Sequence, residues 1–88
     1  MPRFLVFHKA AQEIHQDEII KAAQTLQRSL PENSKWLNSW VVPSEYRMIC
    51  EWEAPDEGSV RTAIRLVEHF LPVEAVYEVE HIEPNWYK

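Results

Sequence analysis

Apolar residues fall along this chain in three rhythms, and each rhythm predicts a different kind of element. Phe4, Leu5, Val6 and Phe7 follow one another without interruption inside Arg3–His8. A strand with apolar residues on both faces is buried on both. From Gln16 to Leu30 the period changes: Ile19, Ala22, Ala23, Leu26 and Leu30 recur at helical spacing, with Asp17 and Glu18 in the first turn, where the helix dipole favours negative charge. Pro31 ends that helix. A second helical stripe, Val60, Ala63, Ile64, Val67 and Leu71, follows Asp56, a good N-cap, and is limited by Pro72. The closing strand runs over Ala75–Ile82, with Tyr77, Val79 and His81 on one side and Glu78 and Glu80 on the other. An aromatic tail, Pro84–Lys88, follows it.

Between the helical stripes lies Trp36–Pro55, where two strand-like runs rich in Trp, Val, Tyr and Ile meet across Val42-Pro43-Ser44-Glu45. This is the pattern of a β-hairpin. A turn centred on Pro43 and Ser44 sets Trp40 opposite Arg47, Asn38 opposite Ile49 and Trp36 opposite Glu51 on one face. The other face then carries Leu37, Ser39, Val41, Tyr46, Met48 and Cys50 and points to the helices.

The order βαββαβ, with two crossovers around a hairpin, predicts an α+β ferredoxin-like sandwich: a four-stranded antiparallel sheet with both helices on one face. The second face of that sheet is left bare. Trp36, Trp40 and Ile49 on it are not what a solvated face carries, so a second copy packing sheet on sheet is expected, a homodimer that the Trp86-Tyr87 tail caps or reaches across.

Composition narrows the partners. With 88 residues, 45% of them hydrophobic, the chain makes one small domain, 1–88, with a single modest core. Its net charge is −5, and the nine basic residues are scattered, which argues against nucleic acid. No apolar run approaches a membrane span, and Met1-Pro2-Arg3 leads into a strand without a signal-peptide pattern. The lone cysteine, Cys50, sits on the core face of a strand and reads as a buried thiol in a reducing compartment. A cytoplasmic protein is expected.

The segment CEWEAPDEGSV (Cys50–Val60), then Pro72, Glu78-Val79, Ile82 and Pro84, resembles a family of small bacterial proteins of undefined function, some of which bind nickel. Trp36–Val41 falls where that family has an aromatic second-strand motif. The resemblance implies a ferredoxin-like, dimeric α/β-barrel assembly. It also implies a histidine at the position of Asn38 and a histidine pair four apart on the second helix, at the positions of Ile64 and Glu68. This chain departs at all three, and an i, i+4 imidazole pair is what would make a metal site there.

The candidate cavity residues are therefore Trp36, Asn38, Trp40, Arg47, Glu51, Glu78, Glu80 and His8. Arg47 across from Trp40 suits a cation–π contact, and the carboxylates suit either a ligand or an ion pair with Arg47. For a nickel-type metal only His8 and Asn38 offer themselves. His15 reads as an exposed or capping residue and His69 as a partner of the second helix's dipole. There is no phosphate loop, since Gly58 is the only glycine, and no catalytic triad. Three roles remain open: a dimeric binder of a small ligand, a small dimeric α/β-barrel enzyme of monooxygenase or isomerase type, and a structural or regulatory dimer without a site.

Overall fold

The computed structural model describes residues 1–69 and 71–87; Lys88, the last residue of the expected tail, lies outside them. The elements run β1 (Arg3–Lys9), α1 (Gln16–Ser29), β2 (Lys35–Val42), β3 (Arg47–Glu53), α2 (Glu57–Ile64) and β4 (Val73–Val79), with short 3-10 turns at Pro43–Glu45 and Pro84–Tyr87. The sheet is antiparallel in the order β2-β3-β1-β4, the ferredoxin-like topology. β4 begins and ends earlier than the sequence pattern suggests.

Strict alternation along β1 and β3 builds the interior. Phe4 and Val6 of β1 and Met48, Cys50 and Trp52 of β3 point to the helices and are almost wholly buried, together with Val76 of β4. Ala22 and Leu26 of α1 and Val60, Ala63 and Ile64 of α2 close over them. α2 is shorter than its apolar stripe: beyond Ile64 the chain continues in turns, yet Val67 and Leu71 still complete the core. Asp56 caps α2 as expected, accepting hydrogen bonds from the Ser59 backbone N–H (2.8 Å) and hydroxyl (2.9 Å), which hold its carboxyl below the usual range. His15 stands at the start of α1, exposed, with no capping bond from its side chain.

The hairpin register differs from the sequence expectation in two ways. Its tip is longer, a 3-10 turn closed by Tyr46 in the left-handed region (φ 55°), so Arg47 pairs with Val42, Ile49 with Trp40 and Glu51 with Asn38. Slipping a strand by two residues preserves its faces, because side chains alternate with period 2. Further along, a bulge between Trp36 and Asn38 slips β2 by one residue and pairs Trp36 with Trp52. A one-residue slip turns a strand over. Trp36 therefore faces the helices, its ring stacked on Trp52 with centroids 6.4 Å apart, rather than the bare sheet face.

Candidate functional site: the open sheet face

The face of the sheet away from the helices is built by the alternate set of residues. β1 supplies Arg3, Leu5 and Phe7, β3 supplies Arg47, Ile49, Glu51 and Glu53, and their cross-strand partners are Trp40 and Asn38 on β2 and Ala75, Tyr77 and Val79 on β4. Trp40 is 51% exposed and Tyr77 58% exposed, so two large aromatics stand in solvent on one sheet face. Phe7 and Tyr77 meet edge to face, centroids 5.8 Å apart.

Two polar clusters are set into this apolar surface. At the end where β4 finishes, Glu51 receives a hydrogen bond from the Asn38 amide (2.9 Å) and an ion pair from Arg3 (3.3 Å). The Glu51 side chain is only 13% exposed even with the face uncovered. At the other end Arg47 is bound by Glu45 (3.2 Å) and by Glu74. Phe7, Arg47, Glu74, Ala75 and Tyr77 enclose a hollow of about 350 Å³ there, at the rim formed by the edge strand β4.

Asn38, Trp40, Arg47 and Glu51 thus come together on one face, as their pattern suggests. Four other expected cavity residues do not join them. Trp36 is turned over by the bulge. Glu78 lies opposite Phe4, a residue of the helix-facing set, so alternation puts it on the far side of β4 from Tyr77. Glu80 lies beyond the end of β4 and is exposed.

His8, the fourth, shares the parity of Phe4 and Val6 and is 2% exposed in the interior. Its Nδ1 donates to the Leu71 carbonyl at 3.0 Å, and burial holds its pKa below the ordinary value against the opposing pull of that carbonyl and of Glu68. Arg3, Phe7, Glu74 and Tyr77 are the members that sequence reasoning missed. The signal for Arg3 and Phe7 was available, since they share a parity on a strand whose other parity is the core.

On the helix side, a second chain of contacts runs from the Trp36 indole N–H to the Ser39 hydroxyl (2.7 Å) and on to the Cys50 sulfur (3.0 Å). Burial pushes the Cys50 thiol up to about 11, only partly countered by Ser39. A hollow of about 380 Å³ also opens beside α1, lined by Glu18, Lys21, Thr25, Leu66 and His69 among others; it shares no residue with the open sheet face. The interior and helical features therefore belong to the fold, and the convergence of aromatic and charged side chains belongs to the open face.

The sequence matches, over residues 4–79, a family described as nickel responsive protein SCO4226-like. The chain belongs to that family. Its fold is similar to the crystal structure of SCO4226 from Streptomyces coelicolor A3(2), with a TM-score of 0.78 and 21% identity over 92% of this chain and 99% of that one. It is also similar to a structural-genomics structure of protein YJCS, with a TM-score of 0.58 and 16% identity over 92% and 98% of the two chains. No curated protein matches the sequence. The family's description raises the question of whether these residues suit a nickel-type ion. Within one chain they do not. His8 is tied to Leu71 in the interior, Cys50 stays protonated, Ile64 is buried in the core, and Asn38 is engaged by Glu51. Among the described residues, no three His, Cys, Asp or Glu side chains come together as a metal-binding group.

Proposed function

We propose that this member of the family acts as a cytoplasmic homodimer whose two open sheet faces meet and enclose a cavity for a small ligand. The observation that supports this reading is the make-up of that face: Leu5, Phe7, Trp40, Ile49 and Tyr77 around two polar clusters, with no second layer over it among the described residues. Contiguous exposed apolar surface of this kind marks an interface or a ligand groove. A binding role fits better than proton transfer, because His8 and Cys50, the two buried groups with displaced pKa values, lie on the helix side of the sheet. No helix among the described residues is long and apolar enough to cross a membrane.

Native mass spectrometry of the purified protein, with and without added nickel, tests the reading together with sedimentation. A dimer carrying extra mass that is lost on denaturation supports it. A monomer at micromolar concentration overturns it, and uptake of stoichiometric nickel by the dimer would replace the organic ligand by a metal held between copies.

A further inference from the structure

Beyond Val79 the chain leaves the edge strand β4 and the family's matched segment together, and it does so with three large apolar side chains in solvent: Ile82 (64% exposed), Trp86 (64%) and Tyr87 (74%). Trp86 is held in place by its neighbours. The Trp86 backbone N–H bonds the Glu83 carbonyl at 2.9 Å, closing the turn, and the His81 ring stands edge-on to Trp86 at 5.9 Å while bonded to Glu83 at 3.1 Å. A tryptophan held before it meets its target loses less side-chain freedom on docking.

We infer that this tail is an intermolecular hook, and that Trp86 and Tyr87 of one copy close the hollow formed by Phe7, Arg47, Glu74, Ala75 and Tyr77 on the open face of the other. The inference rests on the homodimer proposed above. It requires one orientation of the two copies among those that bring the open faces together. A two-fold axis lying between the facing sheets and perpendicular to β4 lays the end of one β4 over the beginning of the other. The tail leaves from the end, beside Val79, and the hollow lies at the beginning, around Glu74 and Ala75. Both are at the sheet's edge, so the tail enters from the side and need not be pressed between the sheets.

Reach is sufficient. Facing sheets lie ~10 Å apart and an extended chain advances ~3.3 Å per residue, so the stretch from Glu80 to Tyr87 crosses the gap even with a turn in it. The Arg47 guanidinium at the wall of the hollow suits the face of an incoming indole.

The test is a disulfide trap in the full-length protein. Ala75→Cys and Asn85→Cys are introduced together, keeping Trp86, Tyr87 and the ion pair of Arg47 with Glu74. The native thiol does not interfere, because Cys50 is buried with its pKa pushed up to about 11. Mild oxidation is expected to give a covalent dimer on a non-reducing gel, and either single substitution alone a much weaker band. Trp86→Ala with Tyr87→Ala is expected to weaken the dimer at least tenfold in sedimentation with no change in the far-ultraviolet spectrum. A dimer that sediments normally but neither cross-links nor weakens on loss of the two aromatics overturns the hook and leaves the homodimer standing. A monomer in sedimentation removes both.

Discussion

Replacing Trp36 by alanine is expected to destabilise the fold by about 3 kcal/mol. A fully buried tryptophan removes ~150–250 Å² from water, which at ~25 cal/mol/Å² is worth ~4–6 kcal/mol, and a half-buried one about half of that. Trp36 is half-buried against the core, so ~2–3 kcal/mol applies, to which the stack on Trp52 adds ~0.5–1.5 kcal/mol. The bond from its indole to Ser39 is lost too. Urea unfolding followed by Trp fluorescence and circular dichroism reads the change; at a slope of ~1–2 kcal/mol per molar, the midpoint moves by more than ~1 M. Trp40→Ala is the partner experiment. Trp40 is 51% exposed on the open face; its loss is expected to leave the stability of the fold within ~1 kcal/mol while weakening the proposed dimer. If Trp36→Ala costs less than ~1 kcal/mol and instead weakens the dimer as Trp40→Ala does, then β2 has no bulge and the faces assigned here are wrong.

Other expectations follow from the buried groups and the open face. His8 has a depressed pKa, so the unfolded chain binds the proton more readily; its share of stability is whole above pH ~6.5 and is lost below it at up to ~1.4 kcal/mol per pH unit, until the folded pKa is passed. His8→Asn, which keeps a donor near the Leu71 carbonyl, is expected to flatten that slope between pH 7 and the acid limb, and parallel slopes would exclude His8 as its source. The Cys50 thiol, at about 11, is expected to react with a disulfide reagent at mildly alkaline pH at least ~100-fold more slowly in the native protein than in urea, and equal rates would show that it is accessible. Ile49→Lys places a charge in the middle of the open face and is expected to weaken the proposed dimer by roughly 100-fold or more, because an unpaired buried charge costs several kcal/mol; an unchanged association constant would move the interface elsewhere.

The sandwich was legible because each element carries its own punctuation. Pro31 ends the first helical stripe and Asp56 caps the second, and the order of elements then allows few topologies. The residues that decide the site's membership carried no comparable mark. Tyr46 takes a left-handed conformation that glycine or asparagine usually announces, so the hairpin tip reads two residues short. The bulge at Leu37 is likewise unmarked by Gly or Pro, and it alone turns Trp36 over. In β4 the alternation of Tyr77 and Val79 with Glu78 and Glu80 invites the apolar set onto the core. In fact Val76 and, partly buried, Val73 pack on the core, and Tyr77 and Val79 share the open face with Leu5 and Arg3. His8 was legible by parity, since it continues the set of Phe4 and Val6, and a polar residue at a strand end obscured it.

The two polar clusters decide what kind of contact the open faces can make. Arg3, Glu51 and Asn38 at one end and Arg47, Glu45 and Glu74 at the other are paired within one chain and still partly hydrated. A dry contact over them would strip that water, and desolvation of an ion costs several kcal/mol that pairing often fails to recover. The apolar side chains between them carry no such penalty. On the homodimer reading, therefore, Phe7, Ile49, Trp40 and Tyr77 make the contact while the Glu51 cluster faces a wet chamber, which is where a ligand's polar group would be matched. Arg3→Met, Asn38→Leu and Glu51→Leu made together separate the two cases. With a chamber there, dimer affinity is expected to change less than ~10-fold while the retained ligand mass disappears from native spectra. A dry interface would instead gain on the order of 1–4 kcal/mol from replacing buried ions by apolar groups, a dimer tightened by more than ~10-fold, and that result would remove the cavity and leave a packed structural dimer.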